Sequence, residues 1–417
     1  MTGTKTEPAA MPLDGQDERL IRTVGLRGTL AGALTRVRTG DVGSLPVVVG
    51  LVIIFAIFQM LNPSFLSSGN LVDLATECAA VGTISIGVVL VLLVGQIDLS
   101  IGSMSGVASA IVGVGLTAYG WPMWMAVAAA LAAGAVVGLL YGVIFVWFSV
   151  PTFVITLAGL LALLGLQLGI LGTNGSINIP FSSWLVRLMQ QTFIARPLAP
   201  VLAAVVALAY LASQLAKARR RRLHGLSTAS LAGPLIRAGA LLLVLEAGCW
   251  YLNQDRGISA PFVLFVALVV GVDFMLTRTR WGRAVFAVGG SVEGARRAGI
   301  KVGRVYISVL VLGSLFAALG GLLSAGRLAT ASISSGVGDT NLNAIAAAVI
   351  GGTSLFGGRG SAYSALLGIV VIQSISNGLT LLSLDSSVRF VITGGVLMVA
   401  VIVDSVSRRS RAAHGRA

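Results

Sequence analysis

Arg278-Thr-Arg-Trp-Gly-Arg-Ala-Val-Phe-Ala-Val-Gly-Gly-Ser-Val-Glu-Gly-Ala-Arg-Arg-Ala-Gly-Ile-Lys-Val-Gly-Arg304 is the longest polar interruption in the C-terminal half of a very apolar chain. Apolar runs flank it at 260–277 and 305–326. It carries seven Lys/Arg and a single acid, Glu293, and loops with such an excess of basic residues stay on the cytoplasmic side of a membrane. The stretch therefore reads as an inside loop between two membrane spans. Its second part, Ser291 to Ile300, predicts one short helix. Ser291 is the N-cap, Glu293 lies in the first turn, Arg296 and Arg297 lie in the last, and Gly299 stops it. Val292, Ala295, Ala298 and Ile300 give that helix one apolar side, which suits docking to a soluble partner. An ordinary topogenic loop would show the same charge pattern.

Composition extends this reading to the whole chain. Of 417 residues, 56% are hydrophobic and 11% charged, with a mean hydropathy of +0.94. A soluble domain cannot bury that much apolar surface, so the fold class is all-α, a polytopic helical membrane protein. The 53 glycines fit close helix packing in lipid. The net charge of +14 falls in short loops and tails, which points to topology and anionic lipid and away from nucleic acid. Cys78 and Cys249 lie in apolar segments and make neither a disulfide framework nor a metal cluster. His224 and His414 lie in basic polar stretches.

About twelve apolar segments follow a basic tail over 1–44, at 45–62, 71–94, 101–119, 122–148, 151–171, 197–216, 236–252, 260–277, 305–326, 342–358, 361–383 and 388–405. The tail lacks a signal-peptide pattern, and its piece 19–37 is weakly amphipathic. With the N-terminus inside and every segment crossing, 24 of the 29 Lys/Arg face the cytoplasm, which also puts the basic tail 407–417 inside. The short, Gly-rich segment 342–358 is the weakest of the set. If it failed to cross, the C-terminal tail would turn outward. The pair within 197–252 is joined by Lys217-Ala-Arg-Arg-Arg-Arg222 and reads as an insertion into a ten-span permease domain covering 45–406. The Arg run reads as a topogenic anchor at anionic lipid.

Three glycine-bearing stretches fall at or near membrane depth. The first is Leu93-Val-Gly-Gln-Ile-Asp-Leu-Ser-Ile-Gly-Ser103. A carboxylate at a helix centre costs about 2.5–3.5 kcal/mol on insertion scales. Asp98 escapes that cost by capping a helix that starts near Leu99, with Ser100 and Ser103 adding local hydrogen bonds. Gly95, Asp98, Ser100, Gly102 and Ser103 are then either a plain cap or a helix break facing a transport path. The second, Leu342 to Ser361, contains Gly351, Gly352, Gly357, Gly358 and Gly360, able to break a helix or admit close neighbours. No Lys-Ser/Thr follows its glycines and no Walker A motif occurs anywhere, so ATP binding is rejected. The third, Gly134-x-x-x-Gly138-x-x-x-Gly142, packs helices. After it, Val150-Pro-Thr-Phe-Val-Ile-Thr-Leu157 offers Thr152, Phe153 and Thr156 either to a solute path or to packing. Asn377 and Gln373 are amides inside a span, and either a neighbouring helix or a passing solute could partner them.

Gly282, Arg283, Ala287, Gly289, Gly290, Glu293, Ala295, Gly299 and Ile300 match the coupling loop of sugar ABC-importer permeases of the ribose/xylose type, and the loop resembles theirs. Gly294 stands where many members have Ala. The 93–103 stretch is similar to the family's Gly-Gly-Ile-Asp-Leu-Ser signature, with Gln96 in place of the second Gly. Leu342–Gly360 and Val150–Leu157 also resemble family motifs, and the resemblance covers about 45–407. It implies a permease subunit that does no covalent chemistry and binds no cofactor, with ATP and magnesium held by a separate cytoplasmic ABC ATPase. Glu293, Gly294, Ala295, Arg296, Arg297, Ala298, Gly299 and Ile300 would dock that ATPase. A second copy of the permease, an extracytoplasmic sugar-binding protein and membrane lipid complete the implied partners, in a bacterial inner membrane with both termini cytoplasmic. Xylose is favoured by length and the inserted pair, with ribose, other pentoses or hexoses as further choices. The rival class is an ion-coupled secondary sugar transporter, for which Glu77, Glu246 and Asp273 are available carboxylates. An intramembrane enzyme finds no support, because both His lie outside the spans.

Overall fold

In a computed structural model the described residues are 45–224, 226, 232–385, 387–395, 398 and 402. The expectations for the basic tails 1–44 and 407–417, and for most of the linker after His224, lie outside them. The described residues fall into two compact units: Ile194–Gly257 forms one, and the described parts of Gly43–Phe193 and Ile258–Ala417 form the other.

The larger unit begins with α1 (Leu45–Leu61), α2 (Ser68–Leu93), α3 (Ile101–Thr117), α4 (Met123–Phe148) and α5 (Thr152–Leu171). A short strand β1 (Ser176–Asn178) and helix α6 (Trp184–Gln190) follow. After the smaller unit, α7 (Leu198–Leu223) and α8 (Ala232–Leu252), come α9 (Ala260–Arg278), α10 (Arg280–Gly290), α11 (Val292–Arg297) and α12 (Val302–Leu328). The chain closes with β2 (Thr330–Ser332), α13 (Asp339–Ile350), α14 (Tyr363–Leu381) and a helix over 387–395. Eight of the described helices are long and apolar enough to cross a membrane. Ile101–Thr117 and Pro46–Leu61 are apolar but shorter. The expected segment 388–405 is described only in part.

Helix α12 is the hub, packed against α2, α3 and α4. The glycine stripe on α4 explains its close approach to α12. A Cβ on Gly138 would lie 2.6 Å from Val311 Cα, and one on Gly142 would lie 2.8 Å from Ile307 Cα. The stripe packs helices, as its spacing predicts. Helix α2 is buried almost without interruption from Cys78 to Leu93, which is why it shows no polar face. An all-round apolar helix of this kind belongs in a bundle centre or a membrane.

The segment expected at 342–358 takes a form the apolar pattern did not indicate. Only twelve residues, Asp339–Ile350, are helical. At about 1.5 Å per residue that helix covers about 18 Å, short of the roughly 30 Å hydrocarbon core. The chain still travels the full length of α3. It starts at β2, whose Ala331 sits against Gly113 near the α3 C-terminus. It passes Leu99, whose carbonyl accepts Asn341 Nδ2–H at 2.8 Å, and reaches Leu93 through Gly358. Helix α14 then returns to the opposite end of α2, where Asn377 meets Asn70 and the Leu381 carbonyl meets Asn62. A twelve-residue helix flanked by turns thus carries the chain from the C-terminal end of α3 to the end of α2.

β1 and β2 pair antiparallel, with Ser176 opposite Ser332 and Asn178 opposite Thr330. Nothing in the apolar pattern predicts this pairing, because its partners lie about 150 residues apart. The chain leaves and re-enters the larger unit at one point. Phe193 and Ser259 form an antiparallel bridge, and Ala260 N–H donates to the Thr192 carbonyl at 3.1 Å. Residues 194–257 are therefore an insertion between two touching residues. Within that smaller unit α7 and α8 pack on each other, and Cys249 Sγ contacts the Ala199 carbonyl at 3.7 Å.

Candidate functional site

Helix α2 stops because Gly95 takes φ +71°. Gln96 N–H donates to the Val91 carbonyl at 3.2 Å, and Gly95 N–H donates to the Leu92 carbonyl at 2.8 Å. That pair of bonds is a Schellman stop, which needs a left-handed residue at Gly95 and none at position 96. Gln96 is therefore compatible with the turn, and its Oε1 accepts the Thr152 hydroxyl at 2.6 Å.

Between α2 and α3 the backbone is irregular over 94–100, so the helix is broken here. Asp98 is 3% exposed. Its Oδ1 accepts both the backbone N–H and the hydroxyl of Ser100, at 2.8 and 2.7 Å. Helix α3 starts at Ile101 with Ser100 as N-cap, and no side chain caps it. Asp98 thus makes a local turn two residues upstream of the N-cap Ser100, where the sequence pattern predicts a cap of a helix from Leu99 onward. Its Oδ2 is buried without a partner. Thr156 Oγ1 accepts Leu99 N–H at 3.1 Å, so Thr152 and Thr156 on α5 both hold the break. Phe153, 53% exposed, points away from it. Ser103 and Gly102 are buried on α3.

The glycine loop after α13 comes to the same place. Gly352, Gly357, Gly358 and Gly360 all have positive φ, a conformation that L side chains strain against. Gly351 packs on the Ser364 backbone. Gly358 N–H donates to the Leu93 carbonyl at 2.9 Å. A Cβ on Gly357 would lie 2.7 Å from Gly95 N and 2.9 Å from the Gly289 carbonyl oxygen. A Cβ on Gly289 would collide with the Leu93 carbonyl and lie 2.6 Å from Gly358 N. Three stretches, separated in sequence by up to about 260 residues, therefore meet backbone to backbone.

The third partner, Gly289, ends α10, a helix that the sequence reading missed inside the polar loop. Thr279 caps it by accepting Gly282 N–H at 3.1 Å, and Gly282, Val285 and Val288 form its buried side. Trp281 Nε1–H anchors it to Ser308 Oγ at 2.8 Å. Ser291 then takes an extended backbone and caps α11, its Oγ accepting Gly294 N–H at 3.1 Å. Ile300 N–H to Ala295 O and Gly299 N–H to Arg296 O, both 3.0 Å, with Gly299 at φ +79°, repeat the Schellman stop. The helix itself ends at Arg297, so Ala298, Gly299 and Ile300 form its stop. Ala295 is buried, while Glu293, Arg296 and Arg297 are exposed. Glu293 pairs with Arg297 at 3.1 Å and Arg296 at 3.8 Å. Exposed pairs of this kind contribute about 0–1 kcal/mol, so these side chains are readily available to a partner.

Asn377 lies apart from the junction and exchanges hydrogen bonds with Asn70 at 2.9 and 3.1 Å, which makes the neighbouring helix its partner. Glu77 is paired with Arg327 at 3.1 Å across α2 and α12. Among the described residues no group of three or more His, Cys, Asp or Glu could hold a metal ion. The sequence reading assigned no role to Gln167, Asn341 or Asn343. Each is an amide within or beside an apolar run, and Gln167 and Asn343 are buried. That pattern was the signal available for them.

Residues 70–402 match the family model described as branched-chain amino acid transport system / permease component. The chain is 33% identical to a xylose transport system permease protein of Escherichia coli, over 83% of this chain and 87% of that protein. It is 31% identical to a ribose import permease protein of the same organism, over 86% and 92%. It is 28% identical to a fructose import permease protein of Rhizobium meliloti, over 88% and 86%. No solved structure matches it.

Proposed function

The chain belongs to the branched-chain amino acid transport system / permease component family, and from that premise we propose that it is the membrane-spanning subunit of an ATP-binding-cassette sugar importer. Xylose is the first choice of substrate, because that relative shares the greater identity, with ribose, fructose and other simple sugars behind it. Two copies form the pore in a bacterial inner membrane, with both termini cytoplasmic. A cytoplasmic ATPase, which holds ATP and magnesium, docks on α11, and an extracytoplasmic binding protein delivers the sugar. This subunit moves sugar without breaking or forming a covalent bond.

The observation that carries this reading is the glycine junction. Helix α11 offers exposed charges on a stem, α10, whose end touches both the broken helix at Leu93 and the crossing segment at Gly358. A push on α11 then moves Gly289. Backbone in contact with backbone transmits that displacement without the slack of side-chain rotation. The break at 94–100 and the loop at 351–360 shift together, and the path changes from inward-open to outward-open. The ion-coupled alternative gains nothing from Glu77, which already has a counterion in Arg327.

The test is uptake of labelled xylose into proteoliposomes, with and without the ATPase, the binding protein and internal ATP. Uptake is expected only with all three, and Glu293→Arg is expected to abolish both ATPase docking and uptake. Uptake by this chain alone, driven by an ion gradient and indifferent to Glu293, would overturn the proposal.

A further inference from the structure

One side of α3 faces a strip of buried acceptors that the junction does not use. Gln167 on α5 is 1% exposed. Its Nε2 donates to the Ser332 and Ser335 carbonyls at 2.8 and 3.0 Å. Asn341, in the first turn of α13, donates from Nδ2 to the Leu99 carbonyl at 2.8 Å. These bonds settle which way both amides point, since an amide oxygen cannot take a main-chain carbonyl as its partner. The atoms left over, Gln167 Oε1 and Asn341 Oδ1, are therefore acceptors. Both are buried without a partner, as are Asn343 Oδ1 and Asp98 Oδ2. Asn343 itself is 5% exposed. Asn343, two residues along α13 from Asn341, lies on another face of that helix. Buried polar atoms nearly always find partners, so the orphan acceptors of Gln167 and Asn341, both against the Gly102–Gly106 side of α3, call for a donor.

The surface that seals them is made of backbone. A Cβ on Gly102 would collide with the Gly336 carbonyl and lie 2.9 Å from Asn341 Cβ. A Cβ on Gly106 would collide with the Ser335 carbonyl and with Gln167 Oε1. Helix α3 and residues 332–343 thus touch where glycine has no side chain to interlock. They can part without unpacking a side-chain core, and parting exposes the acceptors.

We propose that Gln167 and Asn341 are specificity-determining residues of the sugar path, each accepting a hydrogen bond from a sugar hydroxyl as α3 and residues 332–343 separate. The inference deepens the importer reading and rests on it. Its chemistry is that of a neutral polyol: sites left with acceptors alone select a ligand rich in O–H donors and reject one whose hydroxyl is removed.

The experiment compares uptake of xylose and its mono-deoxy analogues in proteoliposomes holding the full permease–ATPase complex. Each sugar is supplied at a concentration that saturates the binding protein, so that delivery is equal. The wild type is expected to favour xylose over at least one analogue by about tenfold. Gln167→Met and Asn341→Ala are each expected to reduce that preference to within about twofold for one analogue. ATP hydrolysis stimulated by the loaded binding protein should persist. Asn341→Ser, which keeps an acceptor in a side chain little larger than Ala, is expected to restore the preference, a rescue that a packing role alone would not give. If the variants slow xylose and every analogue by the same factor, or leave all rates unchanged, the inference falls while the importer reading stands. If the wild type imports no sugar, the importer reading falls first.

Discussion

The inserted pair and the junction both contain glycine, yet they use it in opposite ways. In α8, a Cβ added to Gly233, Gly239 or Gly248 would meet nothing within 4 Å. In the larger unit, a Cβ on Gly282, Gly289, Gly321, Gly351 or Gly368 would collide with a neighbouring carbonyl or Cα. Glycine in α8 is merely tolerated, whereas at those five positions it is the only residue that lets two backbones touch. Counting glycines in the sequence does not separate these cases, so the comparison has to be tested by adding methyl groups.

The largest effect is expected at Gly368, where the Ala347 backbone occupies the space a Cβ would need. Gly368→Ala must push α13 away from α14, and overpacking of this kind costs about 1–3 kcal/mol, read as a fall in the midpoint of thermal unfolding in detergent. Gly95→Ala comes next. It forces an L side chain into φ +71° at the end of α2, a cost of about 1–2 kcal/mol in the same measurement. Thr152→Val removes the hydroxyl that Gln96 accepts and should cost about 0.5–1.5 kcal/mol. Gly239→Ala, in the middle of α8, should do the reverse and raise stability by about 0.5–1 kcal/mol. An equal loss at Gly239 and Gly368 would erase the distinction between the two regions. A sharper version removes the smaller unit altogether. Phe193 and Ser259 are bridged, so a chain that skips 194–257 through a two-glycine linker should still fold and bind its ATPase.

Much of this architecture is legible in the sequence, because long apolar runs in a chain this poor in charge can only become helices. The stops at Gly95 and Gly299 are also legible, since each glycine ends a helical run where a left-handed residue is needed. The capping of α11 by Ser291 follows the local rule as well. Three features are not legible. Helix α10 hides in a polar loop, because its buried residues number three, one of them glycine, and two arginines stand in its first turn. The β1–β2 pairing joins residues far apart through three-residue strands that have no recognisable pattern. The convergence of Gly95, Gly289 and Gly357 is made by main-chain atoms, which carry no residue-specific signal. Asp98 falls between these cases: its type points to a local turn, but only the folded chain shows that it acts two residues before the N-cap.

The central claim is that the docking helix moves the broken helix through the glycine junction. Its most direct test measures ATP hydrolysis and labelled-sugar uptake together in proteoliposomes carrying Gly289→Ala. The added methyl group must displace the Leu93 carbonyl or the Gly358 amide, while α11 and its exposed charges stay as they are. Hydrolysis stimulated by the loaded binding protein should continue while uptake falls at least about tenfold, so that more ATP is spent per sugar. Uptake that keeps the wild-type ratio to hydrolysis, at whatever rate, would mean that the force reaches the path by another route.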